Sequence, residues 1–218
     1  LCKQFENLNN VIRDNKIEFK VALEKIQKLI PEIKSEYYKQ GGLDWKKNTW
    51  VFPLQGYYSS AIGGKNGNGY IASGYSFFDG NKHRGHPAHD IFIQDNNQDC
   101  KDDKTNNSVN VLSFSGGITV ATEKNWDTIS KLRGGKYIWI YDPYTNSLYY
   151  YAHNSKVMVE SGQMVKPGQC IAIVGRTGLN AFKKQSPTHL HFSKLTLDNY
   201  FYPKPIDPYK DLIVSKKQ

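Results

Sequence analysis

A chain of 218 residues is long enough for one substantial domain, a smaller appendage and a real core. Its 15 tyrosines and 10 phenylalanines, punctuated by 18 glycines, lean towards β structure, because aromatic side chains pack well on pleated surfaces. No apolar run approaches the roughly 18 residues of a membrane span. The net charge of +9 draws the chain to anionic surfaces, but the lysines are scattered rather than interleaved with aromatics, so nucleic acid is not an expected partner.

From about Asn10 to Lys39 the apolar residues Phe19, Leu23, Ile26, Ile30, Ile33 and Tyr37 recur at steps of four and three. This is one face of an amphipathic helix. Pro31 lies inside the pattern and predicts a kink or two shorter helices; Gly41-Gly42 stops it. Residues 1–42 therefore read as an N-terminal helical segment ahead of a main domain over 43–218. The stripe holds no metal-ligand types and is expected to pack on the main domain or a partner helix. Its position also raises a role as a docking element or prosegment that covers a groove.

After Gly42 the period switches to two. Short apolar or aromatic runs span Thr49–Pro53, Asp90–Ile93, Ser108–Phe114, Gly117–Ala121, Lys136–Tyr141, Leu148–His153, Cys170–Val174 and His189–Leu195. Turn residues separate them, among them Ser115-Gly116-Gly117 and Pro143-Tyr144-Thr145-Asn146. The fold class is mainly β: an antiparallel domain, a compact sandwich or half-open barrel. The polar stretches Gln94–Asn107 and Thr122–Gly135 are expected to be long loops rimming a cleft. Cys2, Cys100 and Cys170 form no CxxC pair, which argues against a zinc ribbon. In an exported protein one disulfide could form, with Cys100 the better participant. Cys170, in an apolar run, reads as a buried thiol.

All six histidines fall in the β region. In Thr188-His189-Leu190-His191-Phe192 alternation puts both imidazoles on one face, with Cα atoms about 6.5–7 Å apart. Two exposed strand histidines are the ordinary alternative. In His86-Pro87-Ala88-His89-Asp90 the outer residues would lie about 13 Å apart if extended, so sharing one ion requires a bend. Gly85 and Pro87 favour one; a polar loop is the plain alternative. In Tyr149-Tyr150-Tyr151-Ala152-His153, alternation places His153 on the face of Tyr149 and Tyr151, where a half-buried, hydrogen-bonded histidine is the common case. Together the three pieces say more. Two imidazoles and a carboxylate suit Zn²⁺ with a fourth position left for water. His153 and His189 could then take a proton from water, bind a developing oxyanion or protonate a leaving amine.

These motifs, in this order, resemble the M23 metallopeptidase family of lysostaphin- and LytM-like endopeptidases. HxxxD is present as His86 to Asp90 and HxH as His189 to His191. Between and after them come Tyr151-Ala152-His153-Asn154-Ser155, Ser161 to Gln169, Val174-Gly175-Arg176-Thr177-Gly178, Pro187 to Phe192 and Ile206-Asp207-Pro208. The resemblance runs from about Trp50 to Tyr209. It implies one Zn²⁺ bound by His86, Asp90 and His191, with His153 and His189 catalytic, in a groove between loops of a β-rich domain. It implies hydrolysis of peptidoglycan peptides, in stem or cross-bridge. It also implies export to the periplasm, envelope or exterior; the net charge of +9 makes anionic envelope polymers candidate further partners. A non-catalytic member that binds wall peptide or regulates another hydrolase is the alternative; such members typically lose ligands, and this chain keeps them. Ala88 stands where the family usually has Gly, and the extra His89 beside Asp90 is expected to point away from it, although a bend could make it a substitute ligand. His83 reads as a loop residue near the cleft.

Overall fold

Apolar residues on both faces of the central strands mean that both faces must be covered. In β5 (Ser147–Asn154) Tyr149 and Tyr151 belong to one buried cluster, Leu148 and Ala152 to another. β4 (Lys136–Asp142) divides likewise, with Ile138 and Ile140 against Tyr137, Trp139 and Tyr141. The computed structural model, which describes residues 1–218, resolves this pattern into three layers.

The middle layer is a seven-stranded antiparallel sheet. It comprises β1 (Ala88–Phe92), β3 (Gly117–Glu123), β4, β5, β7 (Met164–Val165), β9 (His189–Leu197) and β10 (Pro203–Pro205), with β2 (Asn110–Leu112), β6 (Lys156–Val157) and β8 (Cys170–Ile173) forming a second, smaller sheet. The order across the large sheet is β1-β9-β5-β4-β3-β7, with β10 also on β9. One face packs on the small sheet through Ile91, Leu190, Phe192, Ile171 and Ala172. The other is covered by α1 (Cys2–Arg13) and α2 (Phe19–Lys39), which bury Phe5, Ile26, Ile30 and Ile33 against Val120, Trp139, Leu195 and Leu197. A short α3 (Tyr209–Val214) ends the chain. No helix is long and apolar enough to cross a membrane.

The helical segment departs from expectation in two ways. Its break falls at residues 14–18, where Asn15 takes φ 54°, and α2 runs unbroken through Pro31. An interior proline costs about 3 kcal/mol. Full burial of each isoleucine contributes roughly 1.5–3 kcal/mol, and three lie along this face, so the sheet contact wins. Phe19 is also not in the buried stripe; Ala22 and Leu29 are. Polar contacts fix the orientation of α1. Thr122 donates to Glu6 Oε1 from both its backbone N–H and its hydroxyl, at 2.9 Å each, and Asn9 Nδ2 donates to the Tyr137 hydroxyl at 2.9 Å.

Three further expectations are corrected. Thr49–Pro53 is not a strand: a 3₁₀ turn over Lys47–Thr49 leads to a single bridge between Val51 and Lys216, and Pro53 has no N–H to extend it. The cysteines are all free, and Cys170 is only half-buried, on the strand of the small sheet flanked by both its neighbours. Of the two long polar stretches, only Thr122–Gly135 reaches the cleft, through Leu132, Arg133 and Gly134. Gln94–Asn107 instead folds on itself, with Asp95 accepting from the N–H groups of Asp99 and Cys100.

Candidate active site

The register of three strands assembles the site. Asp90 on β1 and Ala152 on β5 both lie opposite His191 on β9, and Phe92 lies opposite His189. Asp90 and His191 therefore share the helix-facing side of the sheet, while Leu190 and Phe192 enter the core beneath. His86 precedes β1. Gly85 at φ 74° turns the chain there, and His86 bonds in both directions to Ile71, at 2.7 and 2.8 Å. The bend that the spacing demands is present.

The result is a tight cluster. Asp90 Oδ1 lies 3.0 Å from His191 Nδ1, 3.2 Å from His86 Nε2 and 3.7 Å from His189 Nε2. One ligand atom each from His86, Asp90 and His191 fall within 4.8 Å of one another. Tetrahedral ligands at 2.0–2.1 Å from zinc would stand roughly 3.3 Å apart, so these residues could hold such an ion with little movement. Donor chemistry agrees, being two imidazoles and a carboxylate. Asp90 stays ionised: burial opposes its charge, but hydrogen bonds from His191 and His86 outweigh it and hold the carboxyl far below the ordinary range. His86 is pushed up by its bond to Asp90, against burial. His191 is pushed down by burial, against the same carboxylate.

Backbone carbonyls orient the other ring nitrogens. A carbonyl only accepts, so Nδ1–H is the donor to Gly69 O in His86 (3.1 Å), to Thr177 O in His153 (2.8 Å) and to Pro187 O in His189 (2.7 Å). In His86 and His189 the bond leaves Nε2 facing Asp90 Oδ1, at 3.2 and 3.7 Å. Burial among the other imidazoles holds His153 well below the ordinary histidine range, so it is neutral with a lone pair on Nε2. Its ring centre is 4.8 Å from that of His189 and 5.5 Å from that of His191.

The structure brings together all five residues singled out in the sequence, but not by the expected route for His153. Strict alternation would put it with Tyr149 and Tyr151, which point into the opposite core. Instead His153 takes φ 69° where the β4–β5 register shifts, and its N–H bonds to Gly134 O at 2.9 Å. That local twist swings the imidazole to the site. His89 follows expectation and faces away, donating from Nε2–H to Asp207 Oδ1 at 2.8 Å. His83 lines the cleft without joining the cluster. Sequence reasoning missed Arg13, Arg133 and Tyr75, which also line it. Arg13 and Arg133 carry no motif spacing, and Tyr75 lies in a segment without periodicity.

Comparison with known proteins places the sequence in a family. The sequence model of Peptidase family M23 matches residues 100–208, half of the chain. The chain belongs to peptidase family M23. The matched stretch includes His153, His189 and His191; His86 and Asp90 lie before it and join through the fold. Solved structures similar to it include a candidate glycyl-glycine endopeptidase LytM from Ruminococcus gnavus, 26% identical over 57% of this chain and 45% of that one, with a TM-score of 0.44. This chain thus spans under half the length of that protein. Others are the catalytic domain of the antimicrobial peptidase lysostaphin from Staphylococcus simulans, 26% identical over 62% of this chain and 80% of that one, TM-score 0.40, and a zinc-containing peptidase from Vibrio cholerae, 18% identical over 82% and 43%, TM-score 0.45. No curated protein matches the chain.

Proposed function

We propose that this peptidase-family chain is a zinc-dependent endopeptidase that hydrolyses peptide bonds in bacterial peptidoglycan, in the stem peptide or cross-bridge, outside the cytoplasm. The observation that carries the reading is the convergence of His86 Nε2, Asp90 Oδ1 and His191 Nδ1 beside two further imidazoles, His189 with Nε2 3.7 Å from Asp90 Oδ1 and His153 with its ring centre 4.8 Å from that of His189. A zinc ion held by these three residues supplies Lewis acidity towards a peptide carbonyl and lowers the pKa of water to about 7.

The chain's own residues do the rest. Asp90 stays anionic under burial and compensates cationic charge in the cluster. His153, neutral and anchored through Nδ1–H to Thr177 O, offers Nε2 as a base for a water proton. His189, anchored to Pro187 O, holds its Nε2 where it can bind a developing oxyanion or pass a proton to the leaving amine. Leu190, Phe192 and Tyr151 fill the core beneath the strands that carry these rings. Substrate occupies the cleft above, a cavity of about 300 Å³. Purified muropeptides of defined cross-link, read by mass spectrometry with and without chelator, test the reading. Chelator-sensitive cleavage is expected. Intact muropeptides under zinc-replete conditions would favour a wall-binding or regulatory protein instead.

A further inference from the structure

The cleft is asymmetric in charge. Asp90 is the only carboxylate among its lining residues, and Asp90 already faces three imidazoles. Two guanidiniums line the same space. Arg13, at the end of α1, is neutralised: it pairs with Asp14 at 2.8 Å and Glu123 at 2.9 Å, and donates to the Tyr137 hydroxyl at 3.1 Å. Arg133 has no ion pair. Its single side-chain bond runs from Nη1 to His83 O at 2.7 Å. That uses one of five N–H donors and leaves most of the planar fork free.

Arg133 is also rigidly placed. On one side Leu132 O accepts from Leu179 N, at 2.9 Å. On the other, Gly134 O accepts from His153 N, also at 2.9 Å. The backbone thus ties Arg133 one residue away from the histidine proposed as base. A half-buried, unpaired guanidinium in a cleft whose one carboxylate is already engaged fits an anion that the substrate must bring, and carboxylate, the anion an unmodified peptide carries, matches its fork bidentately.

We propose that Arg133 is a specificity-determining residue that receives a carboxylate of the substrate peptide next to the scissile bond. The inference rests on the peptidase reading for the cut itself, but not for the binding. The carboxylate is either an acidic side chain beside the bond or the C-terminus of the short peptide that the cut releases.

The test uses the full chain and two matched peptide pairs: one ending in a free acid or its amide, the other carrying Glu or Gln beside the bond. Binding is measured by calorimetry on chelator-treated protein, and hydrolysis on the zinc-loaded protein. In at least one pair the acid should bind roughly tenfold or more tightly than its neutral twin, the scale of a charge-assisted hydrogen bond, and the pair that shows it identifies the source. Arg133→Gln should erase that preference, in KM more than in kcat. Arg133→Lys, which keeps stem and charge but loses the fork, should retain part of it. The exposed Arg84→Gln should leave it intact. Equal binding of acid and neutral peptides by the unmutated chain overturns the proposal without any variant, as does an unchanged preference in a folded Arg133→Gln protein. If the acid preference holds and no peptide is cut, the peptidase reading fails and the carboxylate site stands.

Discussion

The two ends of β9 present the same face of one strand to opposite fates. At its start His189 and His191 look into the cleft; at its end Leu195 and Leu197 lie buried under the helices. The same split runs across β4 and β5, where Trp139 and Tyr150 are shared between the apolar cluster and the cleft wall. The difference teaches what the helical segment does. It seals the half of the sheet face that carries no chemistry, and α1 ends as a wall of the half that does, through Asn9, Ile12 and Arg13. A removable cover would leave Leu195, Leu197 and Trp139 bare, an apolar surface of the kind that soluble chains do not leave open.

The largest test of that contrast is deletion of residues 1–42. Cooperative unfolding should be lost or fall steeply in temperature by calorimetry; a truncated chain that folds as well and hydrolyses faster would make the segment a gate. Next in size, His153→Ala should lower kcat by about 10²–10⁴-fold, the scale of a lost general base, while thermal stability and bound zinc are retained. Ile30→Ala should do the reverse, costing about 2–5 kcal/mol of stability in denaturant titrations with kcat per folded molecule unchanged. Gly178→Ala joins the two regions. A Cβ there, at φ 120°, would press on Arg133 O and lie 2.9 Å from His153 Nδ1, so kcat should fall by roughly 10- to 100-fold, as for other losses of a supporting contact.

The smallest effect concerns pH. Burial opposes ionisation of Glu6, but its bonds from Lys3 and Thr122 prevail and hold its carboxyl below the ordinary 4.5. A lowered acid pKa adds stability that is full above pH 4.5 and disappears as pH falls through the folded value. Melting curves from pH 7 downwards should show that loss, and Glu6→Gln should remove the part due to this residue.

How far the sequence reached differs between these regions for physical reasons. HxH was legible because alternation fixes which residues share a face, and the central strands were legible from their two-sided apolar pattern. His153 was found as a residue but placed on the wrong face, because a positive φ at a strand end leaves no mark in periodicity. The Pro31 break was misplaced because burial of neighbouring isoleucines is a tertiary gain that local propensity does not contain. α1 lies inside the expected helical segment, but its packing face was not legible: it includes Glu6 and Asn9, polar residues whose partners lie more than a hundred positions away. Arg133 was invisible for the same reason, since only the fold shows that no acid stands beside it.

Zinc content tests the central claim most directly. The full chain, loaded with zinc and freed of excess by gel filtration, should carry one zinc per molecule by elemental analysis, and His86→Ala, Asp90→Ala and His191→Ala should each lose it while staying folded. A chain that retains no zinc, or that keeps it after all three substitutions, would contradict the assignment.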